Sequence, residues 1–322
     1  MKVFSRFGVV SCVLLLITSF AARSEEVWFA PPDNMDRGPR TYNHDFPDLF
    51  DAAPRWSVRA DAFKLSPKFV AQASEASIRH VTDFLTSHHI AIVADTGGVQ
   101  MDSPTPVPGE CGYGVEGYAR PGRNQIVFNR WKRLGREVQY INFDEPLSFG
   151  HHYHGKNACN FSIQEVAKRT AVSIAEIRKS YPNAKIVDSE ALATTEPGPQ
   201  WVSDLQQWLT AYNQAVGEYP YAVIFDINWR RPWLPTVRAA TDLLHRKGVR
   251  AGYFLDGAGP TDAAAVADLK KNMSDMDAAK VPLDIVMVAN WTPHPANDLP
   301  ESDTNSLSGA LHDYMVKHGH TN

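Results

Sequence analysis

Short runs rich in β-branched and aromatic residues alternate along the chain with longer segments whose apolar residues recur at helical spacing. No other feature limits the possible folds so sharply. A strand and a helix, repeated, set the strands side by side in parallel with helices covering the sheet. Eight strands are readable: Val27–Ala30, Ser57–Ala62, Ile90–Ala94, Val138–Phe143, Ala184–Val187, Ala222–Asp226, Arg250–Leu255 and Leu283–Ala289. Between them, Ile163, Val166, Thr170, Ile174 and Ile177 keep one helical face, begun by the capping-box pattern of Ser162 and Glu165 and stopped before Pro182. Ile78, Val81 and Leu85 form another such stripe, as do Leu205, Trp208, Leu209 and Tyr212. The first unit is the sparest, with only Asp45 to Ala52 available for a short helix.

Eight strand–helix units within 322 residues match a closed (β/α)8 TIM barrel of the α/β class. The rival, an open doubly wound sheet, advertises a Gly-rich phosphate loop after its first strand, and here that place holds Pro31-Pro32-Asp33-Asn34. No low-complexity linker divides residues 25–322, so they read as one barrel domain. Closure requires strand one to pair with strand eight, which carries Val286 and Val288.

Residues 1–24 read differently. Lys2 and Arg6 precede an apolar run from Val9 to Ile17, and small residues follow at cleavage spacing, the pattern of a secretory signal peptide. The run is short for a bilayer span, so the expectation is a secreted or periplasmic protein with no membrane association after cleavage. Cleavage leaves Cys111 and Cys159 in an oxidising compartment, where a disulfide is expected. Both fall in loops after neighbouring strands, on one face of a barrel. Their bond would pin the long Gly- and Pro-rich loop from Thr96 to Asn124 against the histidine loop that follows strand four. With 32 basic and 36 acidic residues the chain offers no footprint for nucleic acid.

In such a barrel the strand C-termini share one mouth, so the polar residues there form the candidate site. Asp61 is read as ending strand two, Asp95 strand three, Asp144 and Glu145 strand four, Glu190 strand five, Asp226 and Asn228 strand six, Asp256 strand seven, and Trp291 strand eight. Any one Asp could simply cap a helix. Carboxylates at nearly every strand end are more than capping needs, and crowded together they must shift each other's protonation. Tyr113 in the long loop and His151, His152 and His154 beyond strand four are expected to wall the cleft and contact substrate. No histidine ends another strand to complete a metal site with that loop, so neither metal nor cofactor is assigned.

Strand four ends Tyr140-Ile141-Asn142-Phe143-Asp144-Glu145-Pro146. Its Asp-Glu-Pro resembles the Asn-Glu-Pro of clan A glycoside hydrolases, a superfamily of (β/α)8 barrels. The resemblance implies a carbohydrate substrate, Glu145 as general acid/base, Asp256 on strand seven as nucleophile and Trp291 beneath the sugar, with Asp144 and Glu190 as further candidate catalytic carboxylates. Two departures stand out: Asp144 replaces the usual Asn, and strand seven offers Asp where the clan has Glu. They leave three readings open: a divergent glycosidase, a barrel that binds sugar without cutting it, or a metal-dependent hydrolase, isomerase or lyase on the same scaffold. On an extended strand, adjacent side chains diverge, so Asp144 and Glu145 can share a pocket only if the strand ends between them.

Overall fold

The computed structural model describes residues 25–33, 45–51, 60–192 and 198–320. The expected signal peptide, residues 1–24, and the start of the expected second strand, residues 57–59, lie outside these. Eight parallel strands close into a barrel: β1 (Glu26–Ala30), β2 (Ala62–Leu65), β3 (Ala91–Thr96), β4 (Tyr140–Asp144), β5 (Lys185–Leu192), β6 (Ala222–Ile227), β7 (Arg250–Leu255) and β8 (Ile285–Ala289). The closure expected from the sequence is present, with Val27 opposite Val286 and Phe29 opposite Val288.

Helices α1 (Pro67–Gln72), α2 (Glu75–Ser87), α3 (Arg123–Arg133), α4 (Ile163–Arg178), α5 (Gly198–Val216), α6 (Leu234–Arg246), α7 (Asp262–Ala279) and α8 (Leu307–Lys317) ring the barrel. Among the described residues, the sparse first unit contains a 3-10 turn, Pro47–Phe50. Helix starts follow side-chain chemistry. The Ser162 hydroxyl accepts from the Glu165 amide at 3.2 Å, and Thr261 and Ser306 cap α7 and α8 in the same way. Glu165 then reaches Arg169 at 2.8 Å, an i, i+4 ion pair. Among the described residues no helix is long and apolar enough to cross a membrane.

Strand alternation divides the core in two. Trp28, Val93, Tyr140, Val187, Ile224, Phe254 and Met287 fill the barrel interior. Phe29, Phe63, Ile141, Ile186, Phe225, Tyr253 and Val288 face outward onto the helices, where Trp131, Trp201 and Trp208 are fully buried. The same alternation determines which polar side chains reach the mouth.

Cys111 and Cys159 are disulfide-bonded, as expected, with Cα atoms 4.9 Å apart across a sequence separation of 48. The Gly112 amide donates to Asn157 O at 2.8 Å and the Asn157 side-chain amide to Tyr113 O at 2.7 Å, so hydrogen bonds join the same two loops.

Candidate functional site

Register places side chains from seven of the eight strands in the mouth. Counting inward-facing residues from the interior core upward gives Lys64 on β2, Asp95 on β3, Asn142 and Asp144 on β4, Ser189 on β5, Asp226 on β6, Phe254 and then Asp256 on and just after β7, and Trp291 just after β8. Lys64 is buried at the centre of this ring and ion-paired with Asp95. Its Nζ lies 5.1 Å from the Trp291 ring centroid and 5.7 Å from that of Phe254. Asp95 also accepts from Asn142 Nδ2 at 2.8 Å, and Asn142 Oδ1 accepts from Ser189 Oγ at 2.8 Å. The chain runs Lys64–Asp95–Asn142–Ser189 across four consecutive strands.

Electrostatics follow from crowding acids in a partly dry cup. Burial alone would lower the pKa of Lys64, but Asp95, Asp144 and Asp33 outweigh it and raise that pKa above its ordinary value. Burial lifts Asp95 to about 6 against the pull of Lys64. Burial lifts Asp144 to about 7, with Lys64 opposing and Glu116 and Asp226 adding. Asp226, also near 7, is raised by burial and by Asp256. Asp256 reaches about 6, lifted by burial and held down by the Trp229 indole, which donates to Oδ1 at 2.8 Å.

Glu145 differs from its neighbours. It follows the last residue of β4 and has φ +50°, a left-handed conformation uncommon for a residue with a side chain. The strand therefore ends between Asp144 and Glu145, meeting the condition for both carboxyls to lie close together. The Glu145 amide donates to Ser189 O at 3.0 Å, fixing the bend. From the long loop, Gly117 (φ +77°) packs against it so closely that a Cβ there would come within 2.6 Å of Asp144 O. Burial first, then Asp226, Asp144, Glu190 and Glu116, push the Glu145 carboxyl up to about 10. At neutral pH it is an acid carrying its proton.

Several sequence expectations are corrected. Asp61 does not end β2: the strand begins at Ala62, and Asp61 sits at the opposite end of the barrel, accepting from the Val27 amide at 2.7 Å. Shifting the strand forward brings Lys64 into the mouth, a residue the sequence reading missed. The signal was there: Ala62-Phe63-Lys64-Leu65 is a strand-like alternation running into the Ser66-Pro67 helix start. Glu190 lies within a longer β5 and shares the outward face of Ile186. Its carboxylate accepts from the amides of Leu147 at 2.7 Å and Ser148 at 2.9 Å and from Ser148 Oγ at 2.7 Å. It holds the turn that follows Glu145.

The structure brings Asp95, Asp144, Asp226 and Trp291 together around Lys64, with Glu145 and Asp256 each close to Asp226. Others stand apart. Asn228 Oδ1 accepts from the Arg230 amide at 3.3 Å. Tyr113 lines a separate cavity of about 480 Å³ beneath the long loop, with Tyr118, Arg120 and Arg123. Exposed His154 bonds Asn160, whereas His151 and His152 turn toward Asp204 on α5.

No family model matches the sequence, and no curated protein matches it. Solved structures do. A candidate α-L-fucosidase from Bacteroides thetaiotaomicron superposes with TM-score 0.53 at 8% identity, over 99% of this chain and 100% of the other. Fructose-bisphosphate aldolase from Plasmodium falciparum gives 0.50 at 10%, over 92% and 89%. A GH10 endoxylanase from a sugarcane soil metagenome gives 0.48 at 10%, over 83% and 85%. At such identities the likeness is of fold, and the fold that this chain has is the TIM barrel.

Proposed function

We propose that this barrel cleaves a glycosidic bond, with Glu145 as the proton donor and Asp256 as the ionised partner. The arrangement that carries the reading is the crowding of Glu145, Asp226 and Asp256 as buried neighbours, which drives their protonation apart. Glu145 keeps its proton up to about pH 10, while Asp256 loses its own near 6. Glycoside cleavage needs that division of labour: a carboxylic acid to protonate the leaving oxygen and a carboxylate to attack the anomeric carbon or activate water. Asp226, near both, would stabilise positive charge developing on the sugar. Trp291 is 44% exposed and presents an aromatic surface over the same mouth, suited to a sugar ring. The acids around Lys64 raise its pKa, which favours the ammonium over the free amine that a Schiff-base reaction would use.

The purified protein, screened against a panel of poly- and oligosaccharides, should release reducing ends from at least one. Glu145→Gln should lower kcat by about 10²- to 10⁴-fold on that substrate while its affinity, read by calorimetry, is kept. In the wild type kcat/KM should rise as pH passes from about 6 to about 7, with ionisation of Asp256 and then Asp226, and hold through pH 8 while Glu145 stays protonated. Full turnover by the Glu145 variant would move the chemistry elsewhere. Binding without release of reducing ends would make the barrel a sugar-binding protein.

A further inference from the structure

His151 and His152 close the wide turn Ser148–His152 that begins just beyond Glu145, and Asp204 faces them from α5. One ligand atom from each of the three lies within 4.8 Å of the others. Two hydrogen-bond patterns orient the set. His151 Nδ1 is 2.7 Å from the carbonyl oxygen of Phe161, a bond in which that nitrogen must carry the hydrogen, so the neutral ring keeps its lone pair on Nε2. Asp204 Oδ1 is occupied by the side-chain amides of Gln200 at 2.9 Å and Gln207 at 3.2 Å. Its Oδ2 is turned toward His152, 3.8 Å from Nε2. This is the outer support that metal-binding imidazoles and carboxylates ordinarily have.

We propose that His151, His152 and Asp204 bind a divalent ion of the zinc type, leaving one coordination position to water. Two imidazoles and one carboxylate suit zinc, whereas calcium and magnesium prefer oxygen ligands. His152 and Asp204 are buried and His151 only half-buried, so the cluster has an open side. Tetrahedral zinc holds its ligands about 3.3 Å apart, given bonds of about 2.0–2.1 Å. Ligand atoms within 4.8 Å of one another must therefore close by up to about 1.5 Å, a side-chain movement. The ion would tie the turn after Glu145 to α5, beside the hold that Glu190 already has on the amides of Leu147 and Ser148. The site lies away from the strand ends, because its third ligand comes from a helix. The inference does not depend on the reaction proposed for the mouth.

The full chain without an affinity tag, stripped with a chelator and dialysed, should take up one equivalent of Zn²⁺ in calorimetry. It should also give the intense visible bands of tetrahedral cobalt when loaded with Co²⁺, and its melting temperature should rise with Zn²⁺ but not with Mg²⁺ or Ca²⁺. His151→Gln leaves the buried pair in place and Asp204→Asn keeps the side chain's shape, so each should fold. Each should weaken Zn²⁺ binding at least about tenfold and abolish the cobalt bands. Absence of stoichiometric uptake by the wild type, or uptake undiminished in both variants, would overturn the proposal.

Discussion

Lys64 shows how much one side chain sets the chemistry around it. Its ammonium is the charge that lets Asp95 ionise in a buried place, and it also faces Asp33 and Asp144. Removing one partner of a buried pair leaves the other uncompensated, typically a loss of about 3–5 kcal/mol when the charge stays. Asp95 has a way out: without Lys64 its pKa climbs further and it takes up a proton. Lys64→Met should therefore be tolerated best at acid pH, with a deficit in melting temperature that widens from pH 5 to pH 8. Adding Asp95→Asn should recover part of the loss at pH 8. An equal deficit at both pH values would show that the pair contributes packing and not charge.

Among the elements, the long loop between β3 and α3 has the most to lose. It carries Glu116 and Gly117 to the bend at Asp144 and Glu145, and two things join it to the loop before α4: the Cys111–Cys159 bond and the Gly112–Asn157–Tyr113 hydrogen bonds. A crosslink across 48 residues restricts the unfolded chain by an amount equivalent to about 4 kcal/mol. Replacing both cysteines with serine should lower stability by up to that amount and leave the far-ultraviolet circular dichroism unchanged. Hydrogen exchange should localise the loosening, with faster exchange over residues 105–119 and 153–160 and little change in the strands. Uniform acceleration across the barrel would show that the bond supports the whole fold.

For the molecule as a whole, the mouth stores protons. Asp33, Asp144 and Asp226 sit near 7 and Asp95 and Asp256 near 6, all raised above the unfolded value of about 3.9. Between those limits the folded state binds more protons than the unfolded chain, so stability falls as pH rises. This contribution is fully present below about pH 4 and is lost as pH climbs through 6 to 7. The denaturant midpoint should accordingly decline from pH 5 to pH 8. A midpoint that rises across that range would mean the carboxyls are ionised and satisfied in the native state.

Some of this was legible in the residues themselves. Alternation of strand-type and helical periods determined the barrel, because parallel strands joined by helices close in few ways, and the pairing of β1 with β8 followed from it. Cys111 and Cys159 were readable because barrel order alone sets their loops on one face. Asp144, Glu145, Asp226, Asp256 and Trp291 were readable because they stand at or just past strand ends. The tertiary structure decided the rest. A side chain's address depends on strand phase, and sliding one boundary by a few residues sent Asp61 to the far end and brought Lys64 to the centre. Glu190 turned outward because alternation along β5, which runs on to Leu192, and not distance from the strand end, sets which face it takes. The meeting of His151 and His152 with Asp204 depends on how α5 packs against the turn after β4, a contact that sequence spacing does not encode.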